Sequence, residues 1–128
     1  GSWYDADRVD ATALTIYAVP AAGVSLAKVE AAVDAEIAKL LRDGVTEEEV
    51  ATTVRRLQAA AVYARDSLQG GAQALGEALA NGGSVEDVEA WPERLAAVTP
   101  AAVLEAARLV LRAERSVTGG LLPTEPAS

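Results

Sequence analysis

Five stretches with the apolar spacing of an amphipathic helix occupy residues 25–112 of this 128-residue chain. The clearest stretch begins after Ser25, whose hydroxyl can cap a helix, and it ends at Gly44. Thr46 and Glu49 have the spacing of a capping box and open a second long helix. The inward positions of the first helix recur three or four residues apart: Leu26, Val29, Val33, Ile37, Leu40 and Leu41.

Three shorter helices are predicted to follow this pair. Glycines at 70–71 are expected to separate the first of them, residues 72–80, from the helix before it. Ser84 and Thr99 are the predicted caps of the other two helices. Trp91 lies on the apolar face of the helix that Ser84 opens, so we expect its ring to lie in the core.

Extended segments flank the helical region. Residues 11–19 alternate in character and place Leu14 and Ile16 on one face, which predicts a half-buried strand. The short piece before it, residues 1–4, is expected to pair with this strand as an antiparallel hairpin. Residues 116–122 are predicted to form a last strand, although two glycines weaken it.

The order of strands, helices and strand predicts an α+β fold. In this fold a small antiparallel sheet, made of the N-terminal hairpin and the C-terminal strand, is covered on one face by about five helices. We expect one domain over residues 1–122, followed by a polar tail over residues 123–128.

Composition excludes several classes of function. A formal charge of −8 argues against nucleic-acid binding, which needs clustered Lys and Arg. No apolar run is long enough to span a membrane and no signal peptide is visible, so we expect a soluble chain. The sequence has no His and no Cys, which removes imidazole and thiolate ligands. No cofactor is expected.

Short motifs recur along the chain in a fixed order. They are Ala18-Val19-Pro20, Gly23-Val24-Ser25, Asp43-Gly44-Val45-Thr46-Glu47-Glu48-Glu49, Tyr63-Ala64-Arg65-Asp66-Ser67, Ala74-Leu75-Gly76, Asn81-Gly82, Trp91, Ala97-Val98-Thr99-Pro100, Ser116-Val117-Thr118-Gly119 and Leu121-Leu122-Pro123. In this order they resemble the C-terminal part of a lobe of the insulinase/pitrilysin family of zinc metallopeptidases. The resemblance covers nearly the whole chain.

This resemblance implies a structural role and no catalysis. In the family, two similar lobes close around a peptide, and the zinc motif H-x-x-E-H lies in the N-terminal lobe. A chain without His cannot supply that motif. The resemblance therefore implies a non-catalytic wall of the peptide chamber that contacts the N-terminal catalytic lobe, in a parent enzyme of the bacterial periplasm or cytoplasm.

Two aromatic residues are the candidate contacts for a peptide or a protein partner. Trp3 and Tyr4 lie near the position that the resemblance gives to the substrate cleft, and the alternative for both is simple packing in the sheet or core. A small sheet also leaves an exposed edge, which can recruit a second copy by strand addition or swapping. We therefore expect a homodimer.

A second interpretation of the sequence belongs to a different class of function. The chain is rich in Ala, free of Cys and Met, and begins with Gly-Ser. These features also fit a stand-alone or engineered scaffold for protein binding or dimerisation.

Overall fold

A computed structural model describes residues 1–4, 9–65 and 68–122 and confirms the α+β class. The predicted polar tail, residues 123–128, lies outside the described residues. Two strands come first, β1 (Ser2–Trp3) and β2 (Thr15–Ile16). The helices are α1 (Leu26–Asp43), α2 (Glu47–Arg65), α3 (Leu68–Ala80), α4 (Val85–Glu89), α5 (Trp91–Ala96) and α6 (Pro100–Val110), and a 3-10 turn (Ala113–Arg115) follows them.

The predicted N-terminal hairpin is present. Strand β1 pairs antiparallel with β2, so that Ser2 lies opposite Ile16 and Trp3 lies opposite Thr15. The pairing continues for one residue beyond the strands, because the amino group of Gly1 donates to the carbonyl of Tyr17 at 2.8 Å and the Tyr17 N–H donates back at 2.9 Å. The sheet is therefore held by a short backbone ladder.

Side-chain caps fix the starts of the long helices, as the sequence predicted. The Ser25 hydroxyl accepts a hydrogen bond from the Lys28 N–H at the start of α1. At the start of α2 the Thr46 N–H donates to the Glu49 carboxylate at 2.8 Å, and the Glu49 N–H donates to the Thr46 hydroxyl at 3.2 Å. At the start of α6 the Thr99 hydroxyl accepts a hydrogen bond from the Ala102 N–H at 3.2 Å. These caps satisfy N–H groups that have no partner inside the helix.

The start of α4 is tied to α5 through one carboxylate. Asp87 forms a capping box with Ser84 and also accepts a hydrogen bond from the Arg94 guanidinium at 3.2 Å. Arg94 donates a second bond to the Asp87 carbonyl at 2.8 Å. The helix predicted to follow Ser84 is divided into two, and α5 starts at Trp91 with Pro92 in its first turn, where the missing N–H of proline costs no helical hydrogen bond.

The predicted C-terminal strand is wrong. Residues 116–122 form no strand and no ladder bond with the hairpin in the described part of the chain. Val117 is 99% exposed and Leu121 is 94% exposed, so these two apolar side chains pack against no other part of the described structure. Two glycines raise the conformational entropy lost on pairing, and a two-residue neighbouring strand offers too few hydrogen bonds to offset that loss.

The expected glycine break before the third helix is also wrong. Helix α3 starts at Leu68 and runs through residues 70–71, so it is longer than the predicted 72–80. It ends at Ala80, as predicted, and the chain then turns at Gly82, which has a φ of +83°, a conformation that glycine adopts without steric cost. The Gly83 N–H donates to the Ala78 carbonyl at 2.8 Å, which closes the last turn as in a Schellman motif.

The described part of the molecule has little hydrophobic core. Helix α1 packs against α6, while α2 packs against α3 and α5 and α3 packs against α4. No residue in the described part is fully buried, and Trp91, predicted to be core, is 38% exposed. The chain exposes 10,311 Å², against about 6,400 Å² expected for a compact protein of 13.1 kDa. These contacts leave much of the helix surface open to solvent.

Within residues 1–4, 9–65 and 68–122, none of the helices combines the length and the apolar character that crossing a bilayer requires.

The Thr99 cap generates a stability prediction. We expect Thr99→Ala to lower the free energy of unfolding by about 1 kcal/mol, because it removes the hydroxyl that the Ala102 N–H uses. Urea unfolding followed by circular dichroism measures this change. The matched control is Thr53→Ala, which makes the same replacement at an exposed position inside α2 and should leave stability unchanged or slightly higher. Equal losses in the two variants would contradict the capping role.

The two capping boxes generate a pH prediction. Hydrogen bonds from the backbone N–H and hydroxyl of Thr46 lower the pKa of Glu49, and those of the Ser84 hydroxyl and N–H lower the pKa of Asp87. A lowered pKa in the folded state means that the stabilisation is present above the ordinary pKa and is lost as the pH falls through the lowered one. We therefore expect acid to weaken α2 and α4.

Glu49→Gln with Asp87→Asn should flatten the difference in unfolding midpoint between neutral pH and about pH 3. The control is Glu48→Gln, which removes a carboxylate from the same first turn of α2 but not from the capping box. Thermal scans at the two pH values give the midpoints. If the variant and the unaltered chain lose the same number of degrees in acid, the capping carboxylates are not responsible.

Candidate functional site

The described residues hold no group of three or more acidic side chains placed to bind a metal ion. Within the part of the chain that the structure describes, Arg42 pairs with Asp43 and Arg94 pairs with Asp87, and all four side chains are at least half exposed. The hydrogen bond from Arg42 is the main cause of the lowered pKa of Asp43. Such exposed pairs are usual on protein surfaces and do not mark a reactive centre.

An open apolar groove of about 600 Å³ lies between the hairpin and α1. Ser2, Leu14 and Ile16 form its hairpin wall, and Leu111, just after α6, closes part of one side. The floor is a stripe of α1 side chains: Val29, Val33, Ile37 and Leu40.

The local sequence accounts for both walls. Leu14 and Ile16 are two positions apart in an extended segment, so both side chains point to the same face. The stripe on α1 repeats every three or four residues, which is the spacing of one helical face. The walls stay apart because the strands are short and no described helix fills the space between them. All the apolar lining side chains keep part of their surface in water.

One rim of the groove is polar and follows α1. Lys28, Ala32 and Glu36 are spaced by four residues and therefore stand one above another on the helix. Lys28 and Glu36 are the charged residues among those that line the groove, and both are exposed. The rim thus carries one positive and one negative charge with a small residue midway between them.

The two aromatic residues predicted to contact a partner lie outside this groove. Trp3 is opposite Thr15, one step from the Ser2 and Ile16 pair that faces the groove, so its ring is on the other side of the sheet. Trp3 is 54% exposed and Tyr4 is 56% exposed. Their exposure leaves both rings accessible, and their role in binding stays a prediction.

The outer face of the hairpin, which carries Trp3, is a second exposed apolar surface, and the segment 116–122 is a third. Gly120 lies against Leu26 at the start of α1, where a Cβ atom on the glycine would be 3.2 Å from the Leu26 Cδ1. The side chains of Val117 and Leu121 nevertheless point into solvent. The segment passes the first turn of α1 without covering the groove.

Sequence reasoning identified both walls of the groove but not the groove. The alternation around Leu14 predicts one face of a half-buried strand, and the stripe after Leu26 predicts the apolar face of a helix. Neither pattern says that the two faces stand opposite each other with space between them, because that depends on the packing of distant elements. The i, i+4, i+8 spacing of Lys28, Ala32 and Glu36 was the remaining signal.

Three apolar surfaces therefore distinguish the described part of the chain: the groove, the outer face of the hairpin and the segment 116–122. Clustered exposed apolar side chains are one of the features of regions that contact another protein. The sequence matches no known protein-family profile and no curated protein.

Proposed function

We propose that this chain is a non-catalytic structural part of an insulinase-type zinc peptidase lobe. In this role it forms a wall of the peptide chamber and packs against the protein that surrounds it. The ordered motifs from residue 18 to residue 123 support the family, and the open groove supports the role.

The observation that carries the proposal is the apolar stripe of α1, which its neighbours cover only in part. Four aliphatic side chains stand on this stripe and none of them is fully buried. Each methylene group kept in water forgoes about 0.8 kcal/mol of transfer free energy, so a surface of this kind is favourable only when protein covers it. A wall inside a larger lobe has such a cover.

The absence of His and Cys from the sequence supports a role without catalysis. Hydrolysis by the family mechanism needs two imidazoles on one helix to hold zinc while a glutamate activates the bound water. Carboxylates are the ligands that remain, and hard cations such as Ca²⁺ and Mg²⁺ suit them better than zinc does. The reaction would therefore belong to the partner lobe.

The alternative function is a stand-alone or engineered scaffold for protein binding or dimerisation. The open groove supports this alternative as well, because a binding scaffold also presents apolar area to a partner. The two roles differ in what they demand of the isolated chain. A scaffold has to be stable as an isolated chain, whereas a wall of the peptide chamber is stabilised by its contacts with the surrounding protein.

The first test concerns zinc and peptide hydrolysis. We expect the purified chain, dialysed against Zn²⁺, to retain less than stoichiometric metal and to leave a fluorogenic peptide uncut, because it has no imidazole. Metal analysis and fluorescence are the measurements. Turnover that disappears with a chelator and returns with added zinc would overturn the non-catalytic role.

The second test separates the wall from the scaffold through thermal unfolding. The described residues include none that is fully buried, and a protein of this kind exposes little new surface on unfolding, so we expect a broad transition well below about 90 °C. Circular dichroism and calorimetry at low chain concentration measure its midpoint and width. A sharp, cooperative transition above about 90 °C would favour the engineered scaffold instead.

A further inference from the structure

We propose that two copies of this chain associate through the groove, with α1 of one copy antiparallel to α1 of the other across a two-fold axis at Ala32. The inference deepens the proposed structural role, on which it rests, by naming the partner of the open surface. It uses a different surface from the sheet edge that the sequence suggested.

The exposed area fits an interface of this kind. The chain exposes 10,311 Å², which is roughly 3,900 Å² more than a compact protein of its mass. Obligate homodimers bury about 2,000–5,000 Å² in total, or about half of that from each copy. The excess is spread over the whole chain and is large enough to accommodate an interface of this size.

The charges on the groove rim are self-complementary. Lys28 and Glu36 lie four residues before and four residues after Ala32. A two-fold axis at Ala32 brings residue 28 of each copy level with residue 36 of the other, so every Lys28 meets a Glu36. Both side chains are long enough to form the pair across the helix contact. A parallel arrangement would instead place like charges side by side.

The middle of the rim and the floor suit a helix. Ala32 at the axis allows the two backbones to approach to about 8 Å, the short end of helix packing distances. The second α1 then covers Val29 and Val33 from above and lies beside Leu14 and Ile16 of the hairpin wall. The same contact repeats in the other copy, because a two-fold interface uses one surface twice.

Net charge also favours the groove over other faces. Each copy carries a formal charge of −8, so two copies repel each other over most of their surface. The groove is lined by one cation and one anion and is electrically balanced. The hairpin edge competes poorly, since β1 and β2 offer only two residues each for strand addition.

Charge reversal tests the arrangement. Sedimentation velocity from micromolar to millimolar concentration should give a dimer for the unaltered chain. Lys28→Glu places two carboxylates at each pairing site and Glu36→Lys places two ammonium groups there, so each variant should raise the dimer Kd by about tenfold or more. Both positions are exposed, and helix content by circular dichroism reports whether each variant folds.

Mixing the two variants is the decisive step. The carboxylate introduced at position 28 meets the ammonium group introduced at position 36, and the native Glu36 of the first variant meets the native Lys28 of the second. We therefore expect a one-to-one heterodimer with a Kd within about threefold of the unaltered chain. The doubly reversed chain, Lys28→Glu with Glu36→Lys, should recover a homodimer by the same pairing.

Asp34→Lys is the matched control for Glu36→Lys, because it makes the same charge change on α1 at a position that does not line the groove. It should leave the dimer intact. A monomer at all concentrations, or a mixture of the reversed variants that stays monomeric, overturns the inference. Neither result affects the wall role, which zinc-dependent peptide cleavage would overturn whatever the oligomeric state.

Discussion

The apolar stripe on α1 is the feature on which the rest of the molecule depends. One face of α1 is apolar because it carries Val29, Val33, Ile37 and Leu40. The hairpin, α6 and Leu111 lie along this face. These neighbours are too few to exclude water. In a chain with many Ala and no Phe or Met, the remaining side chains are too small to fill the space. The apolar side chains are therefore brought together on one side of α1, but they stay partly exposed to water.

Features fixed by adjacent residues could be predicted from the sequence. The caps at Ser25, Thr46 and Thr99 follow from hydrogen bonds that span three residues, and the hairpin follows from alternation over a short segment. The predictions that were wrong depend on contacts between segments that are far apart in the sequence. Residues 116–122 have the composition of a strand but find no partner strand, and Trp91 has an apolar helical position but too few neighbours to bury it. Local patterns predict which face of an element points inward, but they do not predict how much of that face other elements will cover.

The groove illustrates the same division at the level of function. Its walls were visible as two separate patterns, but their separation and the polar rim depend on how the hairpin and α1 pack together. The resemblance places Trp3 and Tyr4 near a substrate cleft, whereas the pleat of β1 directs Trp3 away from the groove. The outer hairpin face and the groove are thus separate surfaces, and a partner bound at one leaves the other accessible.

The carboxylate of Asp87 has a consequence for how the second half of the chain orders itself. Helices of five and six residues are too short to form alone, since the first turn of any helix is unfavourable. Because one side chain both caps α4 and binds the guanidinium of α5, the two helices share a single nucleation event. The two helices should therefore gain and lose structure together, so that opening the turn at Ser84 also weakens α5.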